Sequence, residues 1–264
     1  MKIFCLHSTK GGTGKSFVSQ NLAYGLQRLG KKVLCIDLDQ QGSLTGSLLG
    51  KQEPNNIARF FILGEPLQNL VYQANPHWGN VAIIPGGVEL ATAAKHLLVS
   101  DLPARELILD TALQEISSQY DFCLIDCPPS RDVLVFNAFA AATHVYIPVQ
   151  PSLYDSQGLA GTAKLVSMIS SMLHKPVKVG GIIQNRWGRD RLAKDIAKQL
   201  NGLFPSHICK SVIPDSVRAR EAISAMIPLA THAPAIGSPI VESMNHLVLE
   251  IMSHGSENRS TSAA

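Results

Sequence analysis

The stretch Lys10-Gly11-Gly12-Thr13-Gly14-Lys15-Ser16 constrains this chain more than any other. It follows a short apolar run, Ile3-Phe4-Cys5-Leu6, and opens an amphipathic segment from Phe17 to Leu29. Strand, glycine-rich turn and helix, in that order, are the setting of a phosphate-binding loop. Glycines let backbone N–H groups turn inward and approach an anion closely. A helix starting at Lys15 adds unpaired N–H groups and the positive end of its dipole. Lys15 suits the β- and γ-phosphates, and the Ser16 hydroxyl suits Mg²⁺.

A chain of 264 residues can bury one large core. Its apolar fraction of 45% fits a globular domain, and a net charge of +3 does not by itself imply nucleic acid. Cys5, Cys35, Cys123, Cys127 and Cys209 are scattered, three of them in apolar strand-like runs, as expected of reduced thiols in a cytosolic protein. No run approaches the length of a membrane span, and no basic-then-apolar leader precedes the first strand. We expect an α/β fold: one P-loop domain over residues 1–254, with a mostly parallel twisted sheet and helices on both faces. The polar tail, 255–264, is expected to be disordered.

Further along, Val18, Leu22, Leu26 and Leu29 recur at helical spacing, and Gly30 stops that helix. Val33 to Ile36 is continuous rather than alternating, so it reads as a strand buried on both faces. It ends in Asp37-Leu38-Asp39-Gln40-Gln41-Gly42-Ser43. Alternation points Asp37 and Asp39 to the same side, next to the phosphate loop if the two strands are neighbours. Asn80 to Gly87 reads as a strand and turn, and Ala104 to Gln119 as a helix. Phe122 to Ile125 followed by Asp126 is an apolar strand closed by a carboxylate, the pattern of a Walker B metal ligand. His144 to Val149 and Val177 to Gln184 are strands, with a helix over Gly158 to Met172 between them. The C-terminal helix, Pro239 to Met252, carries an apolar face and no lysine or arginine, so it is expected to pack on the sheet rather than lie on a membrane.

The phosphate loop departs from the general G-x-x-x-x-G-K-[ST] pattern: positions 8 and 9 are Ser and Thr, and a second lysine, Lys10, precedes two glycines. This K-G-G-x-G-K-[ST] form resembles the deviant loop of the ParA/MinD family of ATPases. The D-x-D-x-Q-G-S stretch, the Asp126 strand with Pro128-Pro129, and Gly158-Leu159 resemble the same family. The resemblance implies ATP and Mg²⁺ as cofactors. It implies that Lys10 crosses to the nucleotide of a partner subunit in an ATP-dependent homodimer, and that Lys10, Lys15 and Asp39 form the catalytic group. Nucleotide contacts would come from Lys10, Gly11, Gly12, Thr13, Gly14, Lys15, Ser16 and Phe17, with Asn185 and Pro214 at the adenine. Ser16, Asp37 and Asp126 would lie at the metal.

Arg218-x-x-Glu221-Ala222 resembles the ParA branch. That branch implies binding to DNA without sequence preference, here through Arg186, Arg189, Lys210, Arg218 and Arg220. It also implies a ParB-like adaptor, a cytoplasmic and nucleoid-associated location, and no membrane. Three positions depart from the family pattern: Thr13 for Val, Phe17 for a second Thr, and Gln40 for Pro. The last two imply slow turnover. Two other readings share the loop. One is a MinD-like membrane-recycling ATPase. The other is an iron–sulfur reductase, for which Cys127 lacks a second cysteine in a matching setting.

Overall fold

A computed structural model describes residues 1–254, so the expected disordered tail lies outside the described residues. The chain begins β1 (Lys2–Leu6), α1 (Lys15–Arg28), β2 (Val33–Asp37), α2 (Ser43–Leu49), α3 (Ala58–Leu63), β3 (Tyr72–Gln73) and β4 (Val81–Ile84). The middle is α4 (Leu90–Val99), α5 (Ile108–Glu115), β5 (Phe122–Asp126), α6 (Val133–Ala141) and β6 (His144–Val149). It closes with α7 (Ser156–Leu173), β7 (Lys178–Trp187), α8 (Arg191–Leu203), β8 (Ile208–Pro214), α9 (Val217–Ser224) and α10 (Pro239–His254).

The eight strands form one sheet in the order β3-β4-β2-β5-β1-β6-β7-β8. Every pairing is parallel except β3 with β4. Successive side chains of a strand face opposite ways, and the continuous apolar strands feed two large cores, with a third, smaller one where Ile147, Val149 and Ile182 meet α7 and α8. Cys5, Leu34, Ile36, Cys123 and Ile125 pack against α3 to α7. Phe4, Leu6, Val33, Cys35 and Leu124 pack against α1, α2 and α10. Helices thus cover both faces, as parallel sheets require. All five cysteines are buried and unbridged. Burial raises the pKa of Cys5, Cys35, Cys123 and Cys209, so these stay as thiols.

Several boundaries differ from the expected ones, each for a local reason. The helix expected over 104–119 shrinks to α5. Ala104 adopts φ +53, and the Asn137 side chain intercepts the Leu109 N–H and the Arg105 carbonyl, delaying the helix start. Helix α7 starts two residues early, because the Asp155 carboxylate caps it by accepting from the Gly158 N–H. Strand β7 runs past Gln184 to Trp187, which lies in register with Pro214 of β8. Asn185 and Arg186 are therefore strand residues. Helix α10 buries Ile240, Met244, Leu247, Val248 and Ile251 against the sheet, as its composition implies.

The frame brings the carboxyl ends of β1, β2 and β5 together: Asp126 lies in register with Leu6 on one side and Asp37 on the other. The turn after β4 closes the same rim. The Gly86 N–H donates to the Thr45 hydroxyl (2.9 Å), and a Cβ at residue 86 would collide with the Asp37 carbonyl. Backbone blocks that Cβ, so the strain has no flexible side chain to relax into. Gly86→Ala is expected to destabilise by about 1–3 kcal/mol, lowering Tm by about 2–4 °C per kcal/mol in a chain of this size; a thermal melt with a Gly202→Ala control isolates the collision, since residue 202 has open space around it and, like residue 86, no positive φ.

Candidate active site

A cleft of about 880 Å³ opens at the carboxyl ends of the strands, within the size of small-molecule sites. Its floor is the phosphate loop. Gly14 sits at the N-cap of α1 in the left-handed region, φ 89, where a side chain would be strained. A Cβ there would also strike the Asn185 amide, which reaches under the loop from β7 and donates to the Thr13 carbonyl at 2.8 Å. Gln150, just past β6, donates to the Gly12 carbonyl at 3.3 Å. With these carbonyls held from below, the loop's shape is set by strands distant in sequence. Lys15 is buried, Ser16 half-buried, and both line the cleft. Phe17 lines it too while packing into the core.

Asp126 is wholly buried, and neither carboxylate oxygen accepts a hydrogen bond. Burial, and then the neighbouring Asp37 carboxylate, push its pKa up to about 8; the Ser16 hydroxyl and Lys15 ammonium beside it pull the other way. A buried polar atom without a partner calls for one. Here the donor set, one carboxylate and one hydroxyl facing a phosphate loop, fits a magnesium ion that takes its remaining oxygens from phosphate and water. Among the described residues no cluster of three acidic, His or Cys side chains could hold a metal alone.

Asp37 differs sharply. One oxygen accepts from the Thr45 N–H (2.9 Å) and hydroxyl (2.8 Å), and the other from the Asp39 N–H (3.1 Å). Burial raises its pKa to about 6, against these bonds. Asp37 lies beside Asp126, both of them behind the cleft lining rather than in it, and it braces the loop carrying Asp39. Asp39 is half-buried on the cleft wall, where its carboxylate accepts from the Gln41 N–H (3.0 Å). Asn185 and Pro214 line the same cleft. Lys10 is exposed and lies outside that lining, at a small recess beside α7.

The five basic residues do not form one free patch. Arg186, held at φ +52, and Arg220 both pair with Asp215 at the mouth of the cleft, at 3.5 and 3.3 Å. Arg218 pairs with Glu221 (3.0 Å), which His232 also contacts. Arg189 and Lys210 are exposed with no ion pair among the described residues. Sequence reasoning passed over Thr45 and Gln150. Gln150 carried a readable signal, its place just past a buried parallel strand; Thr45, inside a helix, carried none.

A family model described as an AAA domain matches residues 1–179. The chromosome-partitioning ATPase Soj of Thermus thermophilus is 34% identical over 253 residues, covering 96% of this chain and 96% of that one. The chain belongs to the ParA/MinD family. Another relative, the sporulation initiation inhibitor protein Soj of Bacillus subtilis, is 31% identical over 234 residues, 88% of this chain and 92% of its own. Among solved structures, apo McdA of Cyanothece superposes with a TM-score of 0.83 at 25% identity, covering 96% of this chain and 99% of that one. Cobyrinic acid a,c-diamide synthase of Mycobacterium smegmatis, bound to an ATP analogue and magnesium, reaches a TM-score of 0.82 at 22% identity over 98% and 97% of the two chains, a likeness of fold alone. The span matched by the family model contains the loop, Asp37, Asp39 and Asp126, whereas Asn185 and Pro214 lie beyond it.

The Asp126 carboxyl has a stability signature. Its folded pKa of about 8 exceeds the ordinary 3.8, so its contribution is fully present below about pH 4 and is lost as pH rises through about 8. Asp126→Asn is therefore expected to raise the Tm of the nucleotide-free protein above pH 8 and flatten its pH dependence, while removing the Mg²⁺ dependence of nucleotide binding. Calorimetry at pH 6 and pH 9 measures the first effect and titration with a fluorescent nucleotide the second; equal melting shifts at both pH values would contradict the assignment.

Proposed function

We propose that this chain is a partition ATPase. It binds ATP and Mg²⁺, pairs with a second copy in the ATP state, and holds DNA without sequence preference. It lets go after hydrolysis stimulated by a ParB-like adaptor, and so segregates or positions a plasmid, a chromosome region or another cargo at the nucleoid in the cytoplasm. One observation carries the reading. A buried carboxylate without a partner, Asp126, sits beside Ser16 and Lys15 in a chain 34% identical over 253 residues to a chromosome-partitioning ATPase.

The residues divide the work by position. Lys15 and the N–H groups from Gly11 to Ser16 bind the β- and γ-phosphates. Ser16 and Asp126 would hold Mg²⁺, which supplies neutralisation of phosphate charge. Asp37 keeps the neighbouring loop in place, and Asp39 orients the attacking water. Asn185 and Pro214 wall the adenine end, and Phe17 closes the cleft beside the α-phosphate. Lys10 is exposed outside its own cleft, which supports the reading in which it reaches the phosphates held by the partner. Phe17 and Gln40, in place of Thr and Pro, slow turnover; a fast unstimulated rate in a steady-state assay would sink that point.

Binding to DNA uses Arg189 and Lys210 directly, and Arg186, Arg218 and Arg220 after exchange from Asp215 and Glu221 to phosphate. Each exposed ion pair is worth little, so the exchange is shallow. One monomer offers few contacts, and pairing doubles them. The MinD-like membrane reading is disfavoured by α10, whose apolar side chains are spent on the core. Among the described residues no helix is long and apolar enough to cross a membrane.

The deciding measurement is binding to random-sequence duplex DNA with ATP, with ADP and without nucleotide, across a salt series. Tight binding only with ATP, lost in Lys10→Ala, is expected, with Arg218→Ala flattening the log–log salt slope by roughly 0.9 per subunit. ATP-dependent pairing with no DNA binding in any state would reject the DNA mechanism and turn attention to vesicles.

A further inference from the structure

His7 follows β1 with no exposed surface and has no part in the scheme above. Its ring joins three segments. Nε2 lies 3.0 Å from the Ser130 carbonyl oxygen, in the loop between β5 and α6. Nδ1 lies 3.4 Å from the Thr162 hydroxyl on α7. The ring also meets Phe139 of α6 edge-on, at 5.3 Å. A carbonyl oxygen only accepts, so the Ser130 contact requires the imidazole proton on Nε2. Burial, reinforced by the Lys15 and Arg131 cations, outweighs the Ser130 contact and lowers the pKa to about 4; the ring is neutral near pH 7 and Nδ1 is left an acceptor.

Thr162 has one hydroxyl proton to share between Nδ1 and the Gly158 carbonyl, which is 3.0 Å away. That carbonyl also accepts from the Arg131 guanidinium at 3.3 Å. The contacts close on themselves: Ser130, His7, Thr162, Gly158, Arg131, and back through the peptide bond to Ser130. The other side of the loop faces the cleft, through Pro128, Pro129, Ser130 and Asp132. The loop is anchored at one end by the Cys127 N–H on the Leu6 carbonyl (3.0 Å) and at the other by Asp132, which caps α6; between them His7 holds the Ser130 carbonyl.

We propose that His7 is a positioning residue: its Nε2–H holds the Ser130 carbonyl and so fixes the cleft wall that follows Asp126, tying it to β1 and to the start of α7. The role rests on the ATPase reading of the cleft. A displacement of about 1 Å in such a wall can cost up to about 100-fold in rate, whereas the phosphate loop, which dominates nucleotide binding, is left in place.

The test compares His7→Asn with His7→Gln. The glutamine amide nitrogen reaches about as far as imidazole Nε2 and restores the donor; the asparagine amide reaches only as far as Nδ1. His7→Asn is expected to lower kcat about tenfold, with the KM for ATP within about twofold, and to speed hydrogen exchange of the Cys127 amide, which donates to the Leu6 carbonyl at the base of the loop. His7→Gln is expected to recover at least half of kcat and the slow exchange, at a similar Tm. In ¹⁵N spectra of the wild type, His7 Nε2 should carry the proton. Equal kcat and equal exchange in the two variants, or an unprotonated Nε2, would overturn the proposal. Absence of ATP turnover in the wild type would defeat the ATPase reading instead, and the anchor is then judged on exchange and tautomer alone.

Discussion

Asp37 and Asp126 end neighbouring strands, in register and out of reach of water. Burial raises the pKa of both, and the Asp37 carboxylate raises that of Asp126 further. The chain treats the two unequally. Thr45 and the Asp39 N–H saturate Asp37, which turns it into a structural post for the loop and for the turn at Gly86. Asp126 keeps its lone pairs unclaimed. The groups that favour its charged form are the Ser16 hydroxyl and the Lys15 cation, both in the phosphate loop and the start of α1.

The fold alone does not decide the chemistry. A cobyrinic acid a,c-diamide synthase shares the architecture at 22% identity, and sites rather than frames carry function. The rim of this chain carries an extra lysine outside the cleft, and two arginines, Arg186 and Arg220, held by Asp215 at its mouth. Those pairs lower the density of free positive charge on the surface, which weakens attraction to any polyanion before it arrives at close range.

Much of this was legible in the sequence, because the relevant signals are local. Glycines next to Lys15 and Ser16, and apolar runs ending in Asp37 and Asp126, follow from the short-range rules of turns and buried parallel strands. The misses share a different cause. Helix α6, Val-Leu-Val-Phe-Asn-Ala-Phe-Ala-Ala, is apolar almost all round and shows no period. Strand β8 alternates, but its buried positions include Ser211, which hides the pattern. Thr45, Gln150 and His7 matter through partners 41, 138 and 155 residues away. No window of adjacent residues contains those partners; for Gln150 the window shows only its place just past a buried parallel strand.

The bond from Asn185 to the Thr13 carbonyl spans 172 residues. Synthesis makes the phosphate loop early and its support late. Until β7 has docked beside β6, the loop lacks the amide that holds its floor, and β1 itself lacks both sheet neighbours until β5 and β6 exist. Long-range closure of this kind is slow relative to local helix formation. A nascent chain that has emerged only through β6 therefore carries every residue of the phosphate motif without the amide that holds its floor, and the loop's shape is completed only once β7 has docked.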